Sequence, residues 1–248
     1  MADGTGGGAN QGAGARRGGS QSIPRPPGTR PGDQPDWVEL APADRRFSLA
    51  DVRDRLAMLP APRASDLHTP ASRPAAVLVP LFEDGGEAHL ILTKRPQTMP
   101  SHRGEIAFPG GKQDPGDPTM VAAALRETHE EIGLPPSAIE VIAELDSLST
   151  VASQFTITPF VGLLAAPPQL RPDPREVDLA FAIAISELLD PGVYREESWE
   201  LWGAWRPMAF FELPGETVWG ATARILANFL RFLTADRVAG PGGRRGGL

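Results

Sequence analysis

An α+β protein, with a mixed β-sheet lying between helices, is the fold class this sequence predicts. Three observations lead to it: β-type apolar runs dominate residues 75–213, two long helical patterns stand among them, and the two kinds of element do not alternate as a regular doubly wound sheet requires. With 248 residues, 41% of them hydrophobic, the chain can build a true core, which excludes a collagen-like or wholly disordered polymer. No apolar run approaches the ~20 residues of a membrane helix, and the N-terminus lacks an apolar signal core. A soluble, cytoplasmic protein with no membrane partner is therefore expected. The absence of cysteine removes disulfides, thiol nucleophiles and Cys-ligated metals, leaving carboxylates, hydroxyls, imidazoles or a hard metal for any catalysis. A net charge of −7 gives no global basic field, so no nucleic-acid partner is expected, and a polyanionic substrate needs a local basic pocket.

Taken in order, residues 4–32 are too rich in Gly and Pro to bury an apolar face, and no preceding strand or following Gly-Lys-Ser/Thr makes them a phosphate loop. The expected division is a flexible tail over residues 1–36, one domain over 37–238 and a second flexible Gly-rich tail over 239–248. Ser48 and Asp51 read as a capping box, followed by Leu49, Val52, Leu56 and Leu59 at helical spacing. Strands over 75–82 and 88–92 flank Glu83-Asp84-Gly85-Gly86, a hairpin signal. Further strands fit 105–108, 139–145, 155–164 and 179–185, with a hairpin inside 198–213. The two long helices fit 118–132 and 219–233; the first has Asp117 as cap, Pro118 in the first helical position and Gly133 beyond the last turn.

The first of these helices carries the chemistry. At 100° per residue Glu127, Glu130 and Glu131 share one arc, while Val121, Leu125, Thr128 and Ile132 form a neighbouring arc that can face a core. Like charges so spaced cost roughly 0.2 to 0.5 kcal/mol per pair, so a positive partner is expected. Magnesium or manganese suits such oxygen ligands and works together with substrate phosphates, which points to a phosphate ester or anhydride as substrate. A solvated helix face is the plain alternative for Glu130 and Glu131 taken alone. Context favours the site: Phe108-Pro109-Gly110-Gly111 ends a strand with two glycines that let backbone approach a ligand, and Lys112 follows. Arg126, just outside the arc, is expected to hold the preceding loop or buffer the acids.

These residues resemble the Nudix hydrolase superfamily. Arg126-Glu127-Thr128-His129-Glu130-Glu131-Ile132-Gly133-Leu134 matches the second half of its signature, with Thr128 in place of an aliphatic residue. Gly111 and Asp117 have the spacing of the first half, but eight residues rather than seven separate Asp117 from Arg126, and helix capping is the preferred reading of Asp117. Upstream, Ile91-Leu92-Thr93-Lys94-Arg95 and Gly104-Glu105-Ile106-Ala107-Phe108-Pro109-Gly110-Gly111 look like the motif of the coenzyme A pyrophosphatase branch, with Pro100 where that branch usually has an arginine. Residues 158–162 and 218–226 also look like that branch, so the resemblance covers 75–233.

The resemblance implies an α/β/α sandwich with a mixed β-sheet and hydrolysis of a nucleoside diphosphate linked to another moiety. It implies Glu127, Glu130 and Glu131 as catalytic metal ligands for Mg2+ or Mn2+. For a coenzyme A-like small-molecule substrate the implied products are 3',5'-ADP and 4'-phosphopantetheine or its acyl form. Alternatives are the same chemistry on ADP-ribose, NADH or a nucleoside triphosphate, and a non-catalytic nucleotide-binding Nudix regulator. Arg95, Arg103 and Lys112 are the candidates for gripping phosphate, with Gly110 and Gly111 beside them, although each cation could pair with a surface acid instead. His129 reads as a solvent-facing helix residue and His102 as a loop histidine. Glu176 and Asp178 are candidates for a late metal ligand or base, with surface acids as the alternative. Trp199, Trp202, Trp205, Phe210 and Phe211 read first as core and sheet packing, with adenine stacking or a homodimer contact as alternatives.

Overall fold

The computed structural model describes residues 17–65, 72–99, 102–150 and 154–239. Strand β1 (Arg30–Pro31) and two 3-10 turns lead into helix α1 (Leu49–Leu56), whose N-cap Ser48 and Asp51 make the expected capping box. The hairpin β2 (Arg73–Asp84) and β3 (Glu87–Lys94) follows, turning on Gly85 and Gly86 at φ 57° and 74°. Both glycines adopt the left-handed conformation that a two-residue hairpin loop demands. After the short β4 (Ile106–Ala107) and β5 (Gly110–Lys112) comes α2 (Met120–Ile132), then β6 (Ile139–Glu144), β7 (Leu148–Thr150) and β8 (Phe155–Leu164). The chain closes with β9 (Leu179–Ala184), α3 (Ile185–Leu188), the hairpin β10 (Tyr194–Leu201) and β11 (Ala204–Leu213), β12 (Glu216–Val218) and α4 (Gly220–Ala239).

The main sheet runs β4-β3-β2-β8-β6, with β5 also paired to β2, β7 to β8 and β9 to β3. Its central pair, β2 and β8, is parallel and the other pairings are antiparallel, so the sheet is mixed. Alternation along β2 divides the core. Ala76, Leu78 and Phe82 join Ala123, Ala124 and Ile132 of α2, whereas Val79 and Leu81 face a larger cluster that includes Val52 and Leu56 of α1, Ile185 and Leu188 of α3, and Leu226 and Leu230 of α4. Helices on both faces of a mixed sheet make the expected α/β/α sandwich. No helix among the described residues is long and apolar enough to cross a membrane.

A second sheet, β1-β10-β11-β12, packs Phe211, Leu213 and Val218 into the larger cluster. Its hairpin turns on Trp202 and Gly203, leaving Trp202 63% and Trp205 41% exposed, while Trp199, Phe210 and Phe211 are buried. Residues 17–36, assigned from composition to a flexible tail, are instead laid along this sheet. Gly18 N–H donates to Leu213 C=O and Gly32 N–H to Glu196 C=O, both at 2.8 Å. The guanidinium of Arg25 lies 5.5 Å from the Phe210 ring centroid and that of Arg30 lies 3.9 Å from the Trp205 ring centroid. The segment is held by backbone hydrogen bonds and arginine–aromatic contacts, neither of which a count of apolar side chains registers.

Candidate active site

Local chemistry sets both ends of α2. The Thr119 hydroxyl accepts from the Ala122 N–H at 3.1 Å, and Gly133 closes the last turn at φ 73°. This corrects the expectation that Asp117 caps the helix with Pro118 in its first position. Asp117 is engaged elsewhere, its two carboxylate oxygens each accepting from Arg126 at 3.0 Å, and that guanidinium holds the Asp117 carboxyl below its usual range. Arg126 also donates to the Lys112 C=O at 3.1 Å, to Glu127 at 3.1 Å and to Glu130 at 2.8 Å. One guanidinium thus ties the preceding loop to the helix and buffers two of its acids.

The buried face of α2 consists of Ala123, Ala124, Thr128, Glu131 and Ile132. Glu131, expected to be a site group outside the core, is only 4% exposed. Burial pushes its carboxyl up to about 8, against the opposing pull of a hydrogen bond from Gly110 N–H at 3.1 Å and of the Arg95 charge. Burial also raises Glu127, opposed by Arg126.

The two glycines of the preceding turn are where backbone must pass close. At Gly110, φ is 149° and a Cβ would sit 2.3 Å from the Ala76 carbonyl oxygen; at Gly111 a Cβ would lie 2.5 Å from the Glu127 carboxylate.

Glu127 and Glu131 meet Glu176, each offering an oxygen within 4.8 Å of the others. Glu176 comes from the loop between β8 and β9, which is docked on the end of α2 by Arg171 N–H to Ile132 C=O and Asp173 N–H to Glu131 C=O, both 2.9 Å. Three converging carboxylates, with burial raising two of them, form an anionic, all-oxygen donor set that fits a hard divalent cation. The membership differs from the expected trio. Glu130, whose side chain is 53% exposed, stands outside this group with Arg126 as its partner. Asp178 is likewise outside it.

The basic candidates also separate. The Arg95 Nε is buried with no hydrogen-bond partner among the described residues, and its charge acts on Glu131. Arg103 is exposed and donates to the Met99 C=O of its own loop at 2.7 Å. Lys112 pairs with Ala75 and Gly111 with Ala76, so the Lys112 side chain leaves β5 on the opposite face from Glu127, and its ammonium lies 5.9 Å from the Phe155 ring centroid. His129 is exposed, as expected of a solvent-facing residue, and the exposed His102 contacts Glu105 at 2.9 Å.

Glu127, Glu131 and Glu176 thus converge behind the Gly-Gly turn, with the charge of Arg95, just past the end of β3, acting on Glu131, and residues 72–202 match the NUDIX domain family. The chain belongs to the Nudix hydrolase family, enzymes that act on pyrophosphate bonds and generally use divalent metal ions. Among its relatives is the uncharacterized Nudix hydrolase NudL of Klebsiella pneumoniae subsp. pneumoniae, 36% identical over 192 residues that cover 74% of this chain and 94% of that protein. NudL of Photorhabdus laumondii, also uncharacterized, is 36% identical over 183 residues, 73% of this chain and 95% of that one. A MutT/nudix family protein from Enterococcus faecalis is similar in structure over 78% of this chain and 75% of its own, with 16% identity and a TM-score of 0.48.

Proposed function

We propose that the chain hydrolyses the diphosphate bond of coenzyme A or a close derivative, releasing 3',5'-ADP and 4'-phosphopantetheine or its acyl form. The observation that carries the reading is the convergence of Glu127, Glu131 and Glu176 beside Gly110 and Gly111, with the Arg95 Nε, which has no hydrogen-bond partner among the described residues, close enough to act on Glu131. The coenzyme A assignment is supported by Ile91-Leu92-Thr93-Lys94-Arg95 and Gly104-Glu105-Ile106-Ala107-Phe108-Pro109-Gly110-Gly111, which resemble the motif of that branch.

When bound, Mg2+ or Mn2+ would supply neutralisation of the phosphate charge and acidification of the attacking water. Glu127, Glu131 and Glu176 would hold the ion, and Glu130 stands at the solvent rim of the same helix face. Arg95 grips a substrate phosphate through its planar donor set. Water oxygen bonds to one phosphorus as the bridging P–O bond breaks, the electron pair leaves with the other phosphate, and a carboxylate of the cluster takes the water proton.

The test is chromatographic product analysis after incubating the protein with coenzyme A, ADP-ribose or NADH under identical Mg2+ or Mn2+. Coenzyme A is expected to give 3',5'-ADP with kcat/KM at least about tenfold above the others, or about 1.4 kcal/mol of transition-state discrimination. Preference for ADP-ribose or NADH overturns the substrate assignment. Binding without turnover of any of them makes the chain a regulator.

A further inference from the structure

We propose that Asp173 is a positioning residue that sets Glu176 against the two glutamates of α2. The inference rests on reading Glu127, Glu131 and Glu176 as cation ligands. Glu176 is exposed and lies before β9, outside any strand, so its carboxylate needs another restraint to meet two groups on a helix. Asp173 supplies one through three of its own groups. Its N–H donates to the C=O of Glu131 at 2.9 Å, and its C=O accepts from Glu176 N–H at 3.0 Å and from Val177 N–H at 2.8 Å. Its carboxylate accepts from Arg175 N–H at 2.9 Å and takes the Arg175 guanidinium at 2.6 Å and 3.1 Å. The turn is thereby closed on itself and fastened to the backbone of a proposed ligand.

Farther on, Asp178 N–H donates to Lys94 C=O at 2.8 Å, next to Arg95. The loop thus spans from the helix that carries two proposed ligands to the end of β3, which leads directly into Arg95. The Arg175 side chain is 84% exposed, and an ion pair so wet contributes little to global stability. What the clamp does instead is hold a turn, and restraints of this kind around metal ligands are worth about 10- to 100-fold in affinity.

Mn2+ binding to the full-length protein without substrate, followed by electron paramagnetic resonance of the free ion, tests this alongside metal-free melting curves. Glu176→Gln is expected to weaken binding, and Asp173→Ala to weaken it about tenfold with the melting temperature nearly unchanged. Asp173→Asn, whose amide oxygen can still accept the Arg175 N–H, is expected to recover most of the affinity. Asp173→Glu keeps the charge but sets the carboxylate one methylene farther out, so it is expected to bind as weakly as the alanine variant, and it decides the matter if Asp173→Ala fails to fold. Weakening by Glu176→Gln with wild-type affinity in both Asp173→Ala and Asp173→Glu overturns the positioning role alone. Unchanged affinity in Glu176→Gln overturns the ligand reading of Glu176, and the role of Asp173 with it.

Discussion

A carboxylate buried to 4% exposure beside two others costs the fold stability wherever it must be ionised, and Glu131 has that position. Folding raises its carboxyl from the ordinary 4.5 to about 8, with burial as the main cause. Between those values the folded chain holds more protons than the unfolded chain, so stability falls as pH rises; the contribution is whole below 4.5 and gone above about 8. The metal-free protein is accordingly expected to melt lower at pH 8 than at pH 5, and Mn2+ to raise the melting temperature more at pH 8 than at pH 6. Glu131→Gln keeps an acceptor for Gly110 N–H without the charge. It is expected to melt higher than the wild type at pH 8 without metal, by about 1 to 3 kcal/mol of stability, and to lose most turnover. Calorimetry across pH with and without Mn2+ checks this, and a glutamine variant that melts lower than the wild type at pH 8 would show that Glu131 is not a strained acid.

At the scale of the element, α2 and the turn before it work as one piece because Arg126 reaches both. Its Nε and Nη2 bind Asp117, Nη2 also holds the Lys112 C=O, and Nη1 faces Glu127 and Glu130. Arg126→Ala is expected to lower kcat/KM about 10- to 100-fold by freeing both the turn and the acids. Asp117→Ala removes the carboxylate contacts on the loop side while leaving the Lys112 C=O bond and the acids in place, and is expected to cost clearly less. Equal losses in steady-state kinetics would mean that the turn, and not the buffering of the acids, is what Arg126 supplies. Elements with complete local instructions were legible from sequence: the capping box at Ser48 and Asp51, and the Gly85-Gly86 turn between two β-type apolar runs, appear where their patterns placed them. The start of α2 was not. Asp117-Pro118 has the residue types of a cap and first turn, but Thr119 has them too, and the choice depends on Arg126 nine residues away claiming the aspartate. Glu176 was only one of two acids ahead of β9. Its selection over Asp178 depends on how the loop docks on α2, a non-local contact with no periodic signature.

For the whole molecule, the largest departure from the sequence reading is the N-terminal segment, which links the outer sheet to the site. Gln21 donates to Glu216 at 2.9 Å and to the Thr217 C=O at 3.3 Å, and Glu216 in turn pairs with Lys94, the neighbour of Arg95. Arg25 and Arg30 cover aromatic rings of the outer hairpin on the way. None of the segment's own contacts has a pattern that a linear reading detects, because each pairs one residue of a Gly- and Pro-rich stretch with a partner more than a hundred positions distant. Composition alone treats deletion of residues 1–36 as harmless, whereas the packing makes it costly: the Arg25 and Arg30 cover is lost, Phe210 is uncovered on the Arg25 side, and Glu216 keeps Lys94 but loses Gln21. Compared with a control lacking residues 1–16, a chain beginning at Trp37 is expected to melt several degrees lower and to show tryptophan emission shifted to the red as Trp205 loses its arginine. Its kcat/KM is expected to fall as well, since Lys94 adjoins Arg95. Coincident melting curves and spectra for the two chains would mean that the segment lies on the sheet without contributing to it.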